Sequence, residues 1–160
     1  MKIKLLGRAL LDADGKIIAY VAPHFVPEKE QIAGVDDVFN GIVVRGNAVG
    51  DTMFYGRGAG KLPTASAVVA DIIDAANHTA RRKKIGWEDG GPDVIGDFRA
   101  LPMRWFVRTD EPEDKLLAAL PGAALLKPVG GQSGAITAPM TLHALEACGL
   151  HNMERMPVLD

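Results

Sequence analysis

Tyr55-Gly56-Arg57-Gly58-Ala59-Gly60-Lys61-Leu62-Pro63-Thr64-Ala65-Ser66 is the stretch on which the reading of this chain turns. Its alternate glycines let a backbone come close to a ligand. Residues 65–76 follow with Val68, Val69, Ile72, Ile73 and Ala76 at helical spacing, which predicts a helix with one apolar face. Pro63 and Thr64 suit the first turn and cap of that helix. A helix entered from a glycine turn presents unpaired N–H groups and a partial positive charge, the chemistry that holds phosphate. Two familiar phosphate patterns do not fit. A P-loop needs Gly at position 55 and Ser or Thr at 62, where Tyr55 and Leu62 stand. A dinucleotide fingerprint needs Gly at position 61, where Lys61 stands. On the residues alone, a plain turn with a helix cap and a ligand-binding turn stand side by side.

Upstream, residues 2–11 alternate Ile3 and Leu5 with polar or small neighbours and read as a strand. Asp12-Ala13-Asp14-Gly15 is turn chemistry, and residues 16–23 form the return strand of a hairpin. Pro23 and Pro27 bracket a loop that carries His24, expected to be solvated. Residues 37–49 give a strand and a tight turn, with 49–54 returning as a second hairpin. Downstream, residues 86–98 are rich in Gly, Asp and Pro and read as a linker. Strand 103–108, helix 112–120, strand 123–129, a turn at 130–134, strand 135–138, helix 140–148 and strand 153–159 then complete a βαββαβ order. The fold class is α+β: an antiparallel or mixed sheet with a long helix over residues 1–85, then the linker, then a small ferredoxin-like module over 99–160.

The 160 residues hold 18 basic and 20 acidic side chains, a net charge of −2, which argues against an electrostatic nucleic-acid binder. No stretch reaches 18 apolar residues, so no membrane span is expected, and the charged start is no signal peptide. Cys148 stands alone, as suits a reducing cytoplasm, and its helical setting reads as packing. Asp71 reads as a helix-surface charge, Trp87 and Trp105 as anchors, and the run Arg81-Arg82-Lys83-Lys84 as a solvated helix end. No metal cluster is read from the residues.

The run from Tyr55 through Ala65-Ser66-Ala67-Val68-Val69-Ala70-Asp71-Ile72 resembles the homoserine dehydrogenase signature G-x-G-A-G-x-x-P-T-A-S-A-V-x-x-D. Ile3-Lys4-Leu5-Leu6-Gly7 resembles that family's entry into the late catalytic domain. Val21-Ala22-Pro23-His24-Phe25-Val26-Pro27 is similar to its V-x-P-x-x-V-P. Phe39-Asn40-Gly41-Ile42 is similar to its F-N-A-I/V, with Gly41 in place of a usual Ala. The likeness covers residues 2–76. It implies that Gly60 lies against the nicotinamide nucleotide of NADP or NAD, with Gly58, Ala59 and Thr64 as further cofactor contacts.

The βαββαβ module occupies the place of the family's regulatory ACT domain. Met103-Arg104-Trp105-Phe106-Val107-Arg108-Thr109-Asp110-Glu111-Pro112 resembles an ACT first strand, and Arg155-Met156-Pro157-Val158-Leu159-Asp160 its last strand. Glu113 stands where effector-binding ACT domains usually have Gly. The resemblance also implies that the Rossmann domain, and the acidic segment and lysine that manage homoserine and its proton, lie before Met1, so no catalytic residue is assigned here. The first functional reading is therefore part of an NAD(P)-dependent homoserine dehydrogenase, inactive alone, homo-oligomeric as a dimer or tetramer, and able to associate with a separate Rossmann half. The second is a stand-alone regulatory protein that senses an amino-acid effector.

Overall fold

A computed structural model describes residues 1–79, 86 and 88–160. The basic run 81–84 and Trp87 lie outside the described residues. The chain forms two compact units, Met1–Pro27 with Gly90–Asp160, and Glu28–Asp89. This differs from the expected division at 85–99, because the first hairpin packs one face against segments distant in sequence. Local patterning carries no record of such a contact.

In the first unit, strands β1 (Lys2–Leu11) and β2 (Ile17–Val26) form an antiparallel hairpin with Leu11 opposite Ile17. Asp12 builds its turn: Oδ1 accepts from the Asp14 and Lys16 amides at 2.9 and 2.8 Å, and Gly15 takes φ 77°. Ile18, His24 and Val26 are buried on one face. The opposite face is Ile3, Leu5, Gly7, Ala9 and Leu11 against Ile17, Ala19, Val21 and Pro23, exposed and without a charge.

From Gly90 on, the segment expected to be a linker is part of the first unit. Ile95 bridges Ile17, the Gly96 amide donates to the Ile17 carbonyl at 2.9 Å, and the Phe98 ring packs against Tyr20 at 4.4 Å and Trp105 at 6.5 Å. Strands β5 (Trp105–Thr109), β6 (Ala124–Val129), β7 (Gln132–Ile136) and β8 (Glu154–Pro157) then form an antiparallel sheet in the order β6-β7-β5-β8. With helices α2 (Glu113–Ala119) and α3 (Leu142–Glu146) this is the split βαβ arrangement read from the sequence. Strand β7 begins at Gln132, earlier than expected, because Gly130 and Gly131 at φ 64° and 80° complete the turn alone.

Alternation along β5 sends Trp105, Val107 and Thr109 inward. Trp105, Val107, Leu116, Leu120, Ala135, Leu142 and Leu145 join Met103 in one core. Burying each leucine stabilises the fold by about 1.5–3 kcal/mol. Polar groups inside find partners: the Trp105 indole N–H donates to the Met140 carbonyl at 2.9 Å, and the Thr109 hydroxyl to the His151 carbonyl at 2.9 Å. Thr141 caps α3 by accepting from the Ala144 amide at 3.1 Å.

In the second unit, strands β3 (Phe39–Gly46) and β4 (Gly50–Arg57) make a hairpin that leads into helix α1 (Lys61–Asn77). At the hairpin end Arg45 grips Asp51 through Nε at 2.8 Å and a terminal nitrogen at 3.0 Å. Those hydrogen bonds hold the Asp51 carboxyl below the usual carboxylate range. The helix forms as expected from its apolar spacing, but its apolar face is uncovered: Val68, Val69, Ile72 and Ile73 are all exposed. Among the described residues of this unit only Ala33 is buried.

Candidate functional site

The glycine turn occupies residues 58–60, between the end of β4 and the start of α1. The three glycines at 56, 58 and 60 serve different ends. Gly56 has open space where a Cβ would stand. Gly58 has none, because a Cβ there would overlap the side-chain amide of Asn40. Its N–H donates to the Val38 carbonyl at 3.3 Å, so the turn is strapped to the residues entering β3. Gly60 takes φ 115° and ψ 155°, a conformation open to glycine and little else. Asn40 was missed as a partner of the turn, although its place in the F-N-A-like motif was visible.

Gly60 is the N-cap of α1, and no side chain caps the helix. Thr64, expected to cap, lies in the first turn instead, where its amide donates to the Gly60 carbonyl at 3.2 Å. Pro63, the third helical residue, has no N–H to leave unpaired. The Lys61 and Leu62 amides are therefore the donors that the helix start presents without an intrahelical acceptor. With the partial positive charge of a 17-residue helix behind them, they suit an anionic group. Gly58, Ala59, Gly60 and Thr64 are thus brought together within one turn of chain. Beside them, Phe39 stacks on Tyr55 at 4.9 Å between centroids, and the Arg57 guanidinium lies 5.1 Å over the Phe39 ring.

Asp71 stands exposed on α1, as expected of a surface charge. Among the described residues no group of His, Cys, Asp and Glu is arranged to hold a metal, and no helix is long and apolar enough to cross a membrane. Cys148 packs against the core of the first unit, and His143 instead meets the Asp97 carboxylate at 3.2 Å. The Asp97 carboxyl is held below its ordinary range by the Arg99 amide first and His143 second.

His24 corrects the sequence reading most sharply. It is not in a solvated loop but within β2, and it is fully buried. Proline is tolerated on an edge strand, and β2 pairs in a ladder with β1 alone, so Pro23 does not end the strand. The His24 ring contacts the Ala22 carbonyl through Nδ1 at 2.9 Å and the Tyr20 hydroxyl through Nε2 at 3.1 Å.

Comparison with known proteins places these features. The family model described as homoserine dehydrogenase matches residues 1–73. The homoserine dehydrogenase of Neisseria gonorrhoeae is 52% identical over 75 residues, which is 47% of this chain and 17% of that protein. That of Pseudomonas aeruginosa is 38% identical over 104 residues, 64% of this chain and 24% of the relative. The crystal structure of a homoserine dehydrogenase from Thiobacillus denitrificans superposes with a TM-score of 0.76 at 29% identity, over 99% of this chain and 42% of that one. The chain thus spans about a quarter or less of the curated relatives' length and under half of the solved structure's. Through the hairpins, the glycine turn and the helix that follows it, residues 1–73 match the homoserine dehydrogenase family.

Proposed function

We propose that this chain supplies the cofactor-side turn of a homoserine dehydrogenase, an NAD(P)-dependent enzyme that interconverts homoserine and aspartate semialdehyde on the way to threonine, methionine and isoleucine. The observation that carries this reading is the bare N-terminus of α1: Gly60 at φ 115° with no side chain over the Lys61 and Leu62 amides. Such a turn fits a nucleotide, since a Cβ at Gly60 would restrict the conformation that exposes those amides. In this role Gly60 lies against the nicotinamide nucleotide, Gly58 and Ala59 shape the approach, and the Thr64 hydroxyl is a further donor. NAD or NADP would supply the hydride-accepting ring, and homoserine's proton would be managed by groups other than those described here. The reaction belongs to the cytoplasm.

The uncovered face of α1 supports a second part of the proposal. Val68, Val69, Ile72 and Ile73 are covered, in the working enzyme, by a further copy in a dimer or tetramer or by a polypeptide carrying the nucleotide-binding half of the fold. Titration of the 15N-labelled chain with NADP+ or NAD+ tests the turn. Shifts are expected at Gly58, Ala59, Gly60 and Thr64, and none at these residues would refute the assignment. The same 160 residues mixed with homoserine and NADP+ are expected to form no NADPH.

One observation favours an amino-acid-sensing reading: the ACT-like residues 99–160 hold a core of their own. A thermal shift with threonine or another amino acid, and none with either nucleotide, would move the assignment to it.

A further inference from the structure

Gly58 and Gly60 are glycines for different physical reasons. Gly60 takes φ 115°, a conformation that residues with a Cβ rarely adopt. Gly58 lies outside the positive-φ region, so its backbone is open to other residues. What Gly58 lacks is room. The place of a Cβ there is filled by the Asn40 side chain, from its Cβ through Cγ to the carboxamide nitrogen. Asn40 stands opposite Gly56 in the β3–β4 register, yet Gly56 has open space at the same point. The Asn40 side chain therefore reaches past its register partner and rests on Gly58.

Hydrogen bonding does not account for that reach. Among the described residues the Asn40 carboxamide has no hydrogen-bond partner. The contact is one of shape, and it closes on a residue whose N–H is already tied to the Val38 carbonyl at 3.3 Å. Gly58 is thus held by Val38 and Asn40, on either side of Phe39. The Phe39 ring is held in turn by its stack on Tyr55 and by the Arg57 guanidinium.

Beyond Gly58 only Ala59 and Gly60 remain before α1 begins at Lys61. These two residues set the direction in which the helix leaves the hairpin, and with it the aim of the Lys61 and Leu62 amides. A glycine hinge gives a defined direction only when the chain before it is fixed, because each glycine has so much backbone freedom to lose. With Gly58 released, the pliable stretch would run from Gly56 to Gly60. We propose that Asn40 is a positioning residue for the cofactor turn. Its side chain, wedged against Gly58, confines the hinge to Ala59 and Gly60 and so fixes the aim of the two helix-start amides. The effect on cofactor affinity rests on the reading of this turn given above; the wedge itself does not.

NMR of the 160-residue chain tests the wedge. A nuclear Overhauser contact should join the Asn40 side-chain amide protons to the Gly58 Hα protons in the natural chain. In Asn40→Ala the heteronuclear 15N NOE values of Gly56, Gly58 and Ala59 should fall, while those of residues 65–76 hold. Asn40→Leu keeps two branches on Cγ and gives up the carboxamide, and it should restore the natural values. Titration of the same three proteins with NADP+ reads the effect on the site. Fixing one residue's backbone is worth a factor of roughly 5–30, so Asn40→Ala should bind at least about fivefold more weakly, and Asn40→Leu as the natural chain does. Absence of the Asn40–Gly58 contact overturns the wedge even if Asn40→Ala does not fold. Unchanged NOE values in Asn40→Ala, a loss spread along all of β3 and β4, or an Asn40→Leu turn as loose as that of Asn40→Ala would overturn it too. A loosened turn with unchanged NADP+ affinity would overturn the positioning role alone. No response of the natural chain to NADP+ would refute the cofactor-side reading, while the NOE values still decide the wedge.

Discussion

The module around β5–β8 and the hairpin-and-helix of residues 28–79 are held together in opposite ways. The module closes over eight buried side chains with Trp105, Val107, Leu116 and Leu145 at its centre. The hairpin and α1, among described residues, bury Ala33 alone. Local signals suffice to write the second region: an alanine-rich helix, a tight hairpin turn, and a glycine where only glycine fits. Tertiary packing, the usual source of helix stability in proteins, has to come from a surface these residues do not themselves supply. The segment matched by the family model runs to residue 73 and includes this core-poor region.

The largest expected effect breaks the module. Leu116→Ala, at a fully buried site, should cost about 2–5 kcal/mol, read from urea unfolding followed by Trp105 fluorescence. Ile72→Ala on α1, 61% exposed, should change the same measurement by no more than about 0.5 kcal/mol. Equal costs would erase the contrast between the regions.

A second experiment sharpens the account of the turn. Gly58→Ala drives a methyl into Asn40 and should destabilise β3–β4 by about 1–3 kcal/mol. Asn40→Gly in the same chain should restore most of that loss, a coupling that a double-mutant cycle measures directly. Gly41→Ala offers a milder comparison. Its methyl would meet Ile32 Cδ1 and Met53 Cε at 2.8 Å and Val35 Cγ2 at 2.9 Å; the first two are far ends of flexible side chains.

The smallest effect lies at the surface of the first unit. Asp97 accepts from the Arg99 amide at 2.8 Å and is held below its ordinary range, so it contributes stability above its unfolded value of about 3.9. That contribution disappears as pH falls through the folded value. Asp97→Asn should therefore lower the urea midpoint slightly at pH 7, with the gap from the natural chain closing as pH falls below the unfolded value.

Much of this architecture was legible, and the reason differs by region. The βαββαβ order could be read because β5 alternates Trp105, Val107 and Thr109 inward and because Gly130-Gly131 and Thr141 punctuate the elements. The helix after Gly60 was legible from its i, i+4 apolar pairs. His24 was not, since two prolines look like brackets from within the sequence, and only the position of β2 beside a single ladder partner makes Pro23 tolerable. The ordered path of Gly96 and Phe98 was hidden too. Its polar, glycine-rich composition describes its surface, while its role depends on Ile17 and Tyr20 far upstream. Within the candidate site, the positions of Gly58 and Gly60 were readable, but Thr64 as a cap was not. Pro63 sits as the third helical residue rather than the first, so the helix begins at Lys61 and Thr64 falls inside it.

The outer face of the first hairpin carries a consequence for how these residues behave in water. Ile3, Leu5, Gly7, Ala9 and Leu11 with Ile17, Ala19, Val21 and Pro23 form a face free of charge, on a chain whose net charge is only −2. Charged side chains discourage such surfaces from associating, and among the described residues of the hairpin none stands on this face. Salts excluded from protein surfaces strengthen apolar association and draw these faces of neighbouring molecules together well before the module core is disturbed.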